Sequence, residues 1–395
     1  MAGFSTRAIK AASRVPDAPQ PPVNAPIYAS STFEVGSAQD LADLLEFKTP
    51  GHSYTRYSNP THAALESTLA ELEQAEAAHV TASGMAAITA AILSTVAPGD
   101  HVLAPVALYG GTFSLLSGML ARYGIGHSFV DQTDASALEA AVTDRTRLVW
   151  LETIANPTTD MPDIRAVAEM AHRHGLTVVV DNTFASPYLC NPLTLGADLV
   201  VHSLTKYIGG HADLLGGAVL GSSERVRAAR AVTVEVGGNA NPFEAFLALR
   251  GLKTLAIRME RHSSNALAVA CALAGAHGVE RVRYPGLDTH PQHDLAQRQL
   301  REGKAGGMMA IDLSGGRAAG ERFLDEIRVA VHATSLGGTE TLCSHPASSS
   351  HRQFGEDELR AAGLTGGTIR VSIGLEDVDD LVDDLAAAAE VASRR

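Results

Sequence analysis

The densest concentration of chemistry in this sequence is His202-Ser203-Leu204-Thr205-Lys206-Tyr207, a lysine beside two hydroxyls just past an apolar run. An isolated lysine in a loop is ordinarily a solvated surface residue. Held in an apolar, partly cationic setting, it loses its proton and attacks carbonyl carbon. Other segments could supply its partners. Asp181, in Val178-Val179-Val180-Asp181-Asn182-Thr183, ends another apolar run. A carboxylate there can cap a helix, bind a metal or pair with a protonated ring nitrogen, and no His/Asp cluster nearby has metal-ligand spacing. Ser83-Gly84-Met85 opens a helical stretch. Free N–H groups and a positive dipole end make a helix start an anion seat, and Gly84 permits close backbone approach. Ordinary capping uses the same residues.

Arg56, in Tyr54-Thr55-Arg56-Tyr57-Ser58-Asn59-Pro60, can clamp a phosphate with Tyr54 adding a hydrogen bond; a solvated loop reads equally well. Tyr109, before Gly110-Gly111-Thr112, can stack on a flat ring or act as an acid, or be a plain buried tyrosine. Arg370, in Thr368-Ile369-Arg370-Val371-Ser372, suits a carboxylate clamp or a structural ion pair.

These residues need a scaffold. Compact Val/Leu-rich runs at His101 to Pro105, Leu148 to Glu152, Thr177 to Asp181 and Asp198 to His202 are apolar on both faces, as buried parallel strands are. Helical stretches such as Asp163 to His174 separate them. Alternating units predict an α/β fold with a mostly parallel, doubly wound sheet, whose ligands bind beyond the carboxyl ends of the strands. Glu152, Asp181 and Ser203 to Lys206 stand at such ends. Asn59-Pro60 supplies an N-cap and a first-turn proline, and Leu65, Leu69 and Leu72 form one helical stripe after it. The helix opened by Ser83-Gly84 is expected to end at Pro98-Gly99. Pro16, Pro19, Pro21, Pro22 and Pro26 mark an extended arm over residues 1–57. Residues 58–251 form the ligand-binding domain. Residues 252–395 form a smaller C-terminal α/β domain, with strands at Gly307 to Leu313 and Thr368 to Ile373 and a helix at Val378 to Val391.

A chain of 395 residues, 45% hydrophobic, is long enough for two such cores. Acidic residues outnumber basic ones by 44 to 31, and the charge of −13 repels nucleic acid and anionic membranes. An anionic ligand therefore needs a local basic seat. Cys190, Cys271 and Cys343 are widely spaced without a CxxC pair, which argues against a disulfide framework or metal site and for a reducing compartment. The N-terminus lacks an apolar core of signal-peptide length, and the longest apolar run is too short to span a bilayer. The cytoplasm is the expected location.

Taken in order, the segments resemble the trans-sulfuration family of pyridoxal-phosphate enzymes, which includes cystathionine γ-synthase, cystathionine γ-lyase, methionine γ-lyase and O-acetylhomoserine sulfhydrylase. The likeness runs from about Ala25 to Leu385. It rests on Ser-x-Thr-Lys-Tyr at 203–207, Asp-Asn-Thr at 181–183, Tyr-x-Arg at 54–56 and Asn-Pro at 59–60. Arg250-Gly251-Leu252-Lys253-Thr254-Leu255 and Tyr284-Pro285-Gly286-Leu287 match as well. The resemblance implies the fold-type-I pyridoxal-phosphate transferase fold, with Lys206 carrying pyridoxal phosphate and Asp181 on its pyridine nitrogen. Tyr109 would stack on the ring and serve as an acid. Ser83, Gly84, Met85, Ser203 and Thr205 would hold the phosphate, with Glu152, Asn156 and Thr183 nearby. Ser335 and Arg370 would bind the substrate carboxylate, bordered by Thr334 and Leu336. Tyr54 and Arg56 would reach the phosphate of a neighbouring subunit in a homotetramer, a dimer of dimers.

The partner is thus expected to be a small sulfur amino acid. Cystathionine-using relatives typically carry a glutamate at the position of Thr334, which points here to an uncharged tail such as that of methionine. Many methionine γ-lyases carry a cysteine where this chain has Gly111, which points the other way. Thr334 carries more weight because it faces the substrate tail. The expected reaction is α,γ-elimination of L-methionine to methanethiol, 2-oxobutanoate and ammonia. Cystathionine γ-lyase or γ-synthase chemistry comes next, then replacement by a sulfide donor. A cofactor-binding regulator without turnover is disfavoured by the joint presence of Lys206, Asp181, Tyr109 and Arg370.

Overall fold

The computed structural model describes residues 2–14, 20–46, 48–349, 352 and 355–394; Pro16 and Pro19 lie outside them. Seven strands make the large sheet: β1 (Ala77–Thr81), β2 (His101–Pro105), β3 (Gly126–Val130), β4 (Thr146–Glu152), β5 (Thr177–Asp181), β6 (Leu199–Ser203) and β7 (Gly217–Gly221). Their spatial order is β1-β7-β6-β5-β4-β2-β3. From β6 to β3 every pairing is parallel, and β7 runs antiparallel to both its neighbours. Along each central strand alternate residues enter different cores. Val178, Val180 and Val200 face one apolar cluster, while Val179, Leu199 and Val201 face another. Both faces are covered, which is why these strands lack polar alternation.

The N-terminal region differs from a purely extended arm. It holds α1 (Phe4–Ala11) and α2 (Ala38–Leu45), with no helix between residues 20 and 37. Phe4, Ala8 and Ala11 form the buried face of α1, and the Phe4 ring meets Tyr188 edge-on at 5.1 Å between centroids. Two alanines in a three-residue stripe give little hydropathy contrast, so tertiary packing rather than periodicity decides this helix. Next comes α3 (Pro60–Glu73), capped by Asn59, whose side chain accepts the Thr61 N–H at 2.9 Å. Leu65, Leu69 and Leu72 are all buried. Helix α4 (Gly84–Leu93) stops before the expected Pro98-Gly99, and α5 (Gly110–Ser114) follows Tyr109.

Two helices, Pro242–Leu252 and Leu255–Leu273, follow the large sheet. Beyond them lies the second sheet, built from β8 (Val279–Arg283), β9 (Met308–Leu313), β10 (Val331–His332), β11 (Leu342–Ser344) and β12 (Thr368–Ser372) in the order β10-β11-β12-β9-β8. The closing helix is Val378–Ser393. Among the described residues no helix is long and apolar enough to cross a membrane, and no cluster of His, Cys, Asp or Glu could hold a metal ion.

Candidate active site

Glu152, Asp181 and Ser203 are the last residues of β4, β5 and β6, three neighbouring parallel strands. They open onto a cavity of about 1070 Å³. The segment after β6 brings Thr205 and Lys206 to its wall, the start of α4 brings Ser83, Gly84 and Met85, and the start of α5 brings Tyr109. Asn156 and Thr183 line it as well, and the second sheet contributes Thr334, Ser335, Leu336 and Arg370. Of the expected cofactor and substrate ligands, Tyr54 and Arg56 lie elsewhere. They line a separate groove of about 420 Å³ with Asn239, Asn241 and Phe243. There the Arg56 guanidinium donates to the Val234 carbonyl at 3.0 Å and lies 4.7 Å from the Tyr57 ring centroid. Within one chain, Arg56 is not a ligand of the cavity that holds Lys206.

Lys206 Nζ donates to Ser335 Oγ at 2.7 Å. Burial, then the charge of Arg370, lowers its ammonium to about 8, so near neutral pH a useful fraction is the free amine. Arg370 Nη2 donates to the Ser335 carbonyl at 2.7 Å. Its Nε is buried without a partner among the described residues, which leaves a charged donor for an incoming carboxylate. Ser335 takes a left-handed backbone at φ 76°, a conformation that costs energy in a non-glycine residue. Its side chain and carbonyl thereby meet both cations.

Glu152 accepts the Tyr109 N–H at 2.6 Å and the Asn156 N–H at 2.9 Å. Paired directly with Asp181 across β4 and β5, it is pushed up to about 8 by burial and by that neighbouring carboxylate. Burial raises Asp181 also, against hydrogen bonds from Thr183. Two adjacent buried carboxylates favour a cation between or beside them, and a protonated pyridine nitrogen is one.

Another part of the cavity lining fits a phosphate. Ser83 Oγ accepts the Ala86 N–H at 3.1 Å, while the N–H groups of Gly84 and Met85 have no intrahelical acceptor. Gly84 sits so close to β6 that a Cβ there would stand 2.8 Å from Ser203 Cβ. Helix dipole, two N–H groups and the Ser203 hydroxyl therefore converge, with Thr205 Oγ1 fixed by the Gly216 N–H at 3.1 Å. Cation seat, anion seat and lysine line one cavity, a set of groups that fits pyridoxal phosphate.

The Cys/Met metabolism PLP-dependent enzyme model matches residues 5–390. The chain belongs to that family. Its members depend on pyridoxal phosphate, and so does this enzyme. It is 43% identical over 368 residues to an L-methionine gamma-lyase of Fusobacterium nucleatum subsp. polymorphum, covering 92% of this chain and 93% of that protein. It is also 44% identical over 389 residues to a cystathionine gamma-synthase of Mycobacterium bovis, covering 98% and 97%. The solved structure of metB from Corynebacterium glutamicum superposes on this pyridoxal-phosphate enzyme with a TM-score of 0.91 at 39% identity, covering 99% of this chain and 98% of that one.

Sequence reasoning missed part of the cavity wall. Phe184, Leu215, Ser344, Ser348, Ser349 and Arg352 also line it. Their one legible signal is the serine-rich run after Cys343, which without the second sheet's topology reads as an ordinary loop.

Proposed function

We propose that this enzyme cleaves the γ-carbon–sulfur bond of L-methionine or a close homologue by α,γ-elimination, yielding methanethiol, 2-oxobutanoate and ammonia. The supporting observation is the electrostatics of the cavity. Its acidic lining residues, among those described, are Glu152 and Asp181, both at strand ends of the large sheet. Apart from Lys206 and Arg370, the charged lining residue that remains among those described is Arg352, with hydroxyls beside it in the lining. A distal ammonium finds no carboxylate there, whereas an uncharged thioether needs none.

Pyridoxal phosphate, when bound, supplies the carbonyl for the substrate amine and an electron sink for charge developing at Cα. The residues supply the rest. Lys206 holds the cofactor and, once released by the substrate amine, takes the Cα proton as the free amine. Loss of a Cβ proton then lets the γ-carbon–sulfur bond break, and one water releases the remaining carbons as 2-oxobutanoate and ammonia. Asp181 keeps the ring nitrogen protonated. Arg370 and Ser335 orient the substrate carboxylate, so that the Cα proton faces Lys206 Nζ. Tyr109, at the cavity mouth, delivers a proton to the departing sulfur.

The test is kcat/KM measured side by side for methionine, cystathionine and O-acetylhomoserine. Thr334 is exposed in the single chain, so water softens any charge pairing there. Thr334→Glu is expected to move the cystathionine-to-methionine ratio about tenfold toward cystathionine, or ~1.4 kcal/mol. A parent enzyme faster on cystathionine than on methionine rejects the reading. The second reading, cystathionine chemistry, draws support from Gly111. A Cβ there would stand 2.4 Å from Tyr109 Cε1 and 2.7 Å from Met85 Sδ, so the cysteine of many methionine γ-lyases would require both side chains to shift. Arg352 also suits a distal carboxylate.

Tyr54 and Arg56 are proposed to complete the site of a neighbouring subunit in a homotetramer, which accounts for their place in a groove apart from Lys206. Arg56→Ala and Lys206→Ala proteins, each inactive, should regain part of the activity when dissociated and re-associated together, because hybrid oligomers contain sites with both residues. Mixed oligomers without recovery would show that the sites are not shared.

A further inference from the structure

Beneath the floor of the cavity lies a buried carboxylate that the reaction does not use. Glu73, the last residue of α3, is fully buried. Its Oε1 accepts a hydrogen bond from Asn182 Nδ2 at 3.0 Å, and its Oε2 lies 3.3 Å from His202 Nε2. Asn182 Oδ1 in turn accepts from Thr153 Oγ1 at 2.8 Å. Each of these three contacts belongs to a residue adjoining one that lines the cavity: Thr153 follows Glu152, Asn182 follows Asp181, and His202 precedes Ser203. Successive side chains in a strand point to opposite faces. The carboxylate thus holds the ends of β5 and β6 directly, and that of β4 through Asn182, while the neighbouring residues line the cavity.

Stability alone does not call for this arrangement. A buried polar network is often matched or bettered by apolar side chains of similar volume, and the preceding stripe of Leu65, Leu69 and Leu72 shows that α3 already packs through leucines. His202 Nδ1 is buried without a partner among the described residues, a further cost to folding. What the network provides is geometry. We propose that Glu73 is a positioning residue for the cofactor site, fixing through Asn182 and His202 the strand ends that present Glu152, Asp181 and Ser203. The proposal rests on the placement of pyridoxal phosphate against Asp181 given above.

Glu73→Gln preserves shape but confronts one of the two donors with an amide N–H. In the purified protein, the affinity for pyridoxal phosphate measured by equilibrium dialysis should fall about tenfold, as when a residue supporting a metal ligand is lost. The circular dichroism band of the bound cofactor should change with it, since ring orientation sets that band. Asn191→Ala is the control. It frees the same end of α3, where Asn191 Nδ2 holds the Leu72 carbonyl at 3.0 Å, and is expected to leave affinity and band unchanged. If Glu73→Gln does not fold, His202→Gln decides in its place. Unchanged affinity and band in the deciding variant overturn the proposal, and so does an equal loss in Asn191→Ala. Asp181→Asn separates the two levels. If it alters the band and the Glu73 or His202 variant does not, Glu73 is merely structural. If Asp181→Asn leaves the band unaltered, the cofactor placement itself fails.

Discussion

Lys206→Ala is expected to lower turnover by about four orders of magnitude and to abolish the visible absorption of lysine-bound cofactor, because one amine serves as both covalent anchor and base. Lys206 Nζ lies 2.7 Å from Ser335 Oγ. Among the described residues lining the cavity, no other lysine could replace it. Lys206→Arg should be as inactive, since a guanidinium keeps its proton in this pH range. A near-normal rate or a retained absorption band in Lys206→Ala would refute the assignment. The same lysine sets a pH dependence for cofactor capture by the apoprotein. Capture needs the neutral amine, and burial with Arg370 brings the ammonium down to about 8. The rate of band appearance should therefore rise with pH, pass half-maximum near that value and then level off. A flat profile across this range shows that another group limits capture.

Arg370→Met should cost about 100- to 1000-fold in kcat/KM, expressed mainly in KM, because the substrate carboxylate loses a partner at a desolvated site. Arg370 Nε is the donor left open for that carboxylate. The substitution also removes the positive charge that helps drive the proton from Lys206. The midpoint of cofactor capture should move upward, modestly, since burial is the larger cause. Loss of the hydrogen bond to the Ser335 carbonyl is the competing structural explanation. It predicts a lower Tm and disordered cofactor binding without an upward midpoint, so the capture profile distinguishes the two. A KM within the normal range rejects the carboxylate seat.

The parts of the fold legible in sequence are those whose signals are local. Strands β2 and β5 run over the expected residues because each is apolar on both faces and bounded by polar or turn residues. Asn59 and Pro60 set the start of α3 for the same reason. Strands β1 and β7 escaped, since their antiparallel pairing joins segments far apart in sequence, and Gly217-Ala218-Val219-Leu220-Gly221 carries little strand signature of its own. Helix α1 escaped because alanines make its buried face. In the site, Lys206, Asp181 and Ser83 to Met85 were visible as polar residues at the ends of apolar runs. Glu73 was invisible, because a glutamate closing an amphipathic helix ordinarily faces water. Its burial follows only from the strands stacked against it.

The cavity draws its two halves from different sheets. The proposed seats for ring and phosphate stand on β4, β5, β6 and the start of α4, where a slip of one residue would carry Glu152, Asp181 and Ser203 to the opposite face of the sheet. The proposed wall toward the substrate tail draws on Thr334, Leu336, Ser344, Ser348 and Arg352, in a span that follows the short strand β10 and contains β11. Descendants of such a chain can rewrite that span while inheriting the cofactor machinery intact. A protein built this way diverges in diet before it diverges in chemistry. Relatives bearing lyase and synthase names can then stand equally near to it, at 43% and 44% identity.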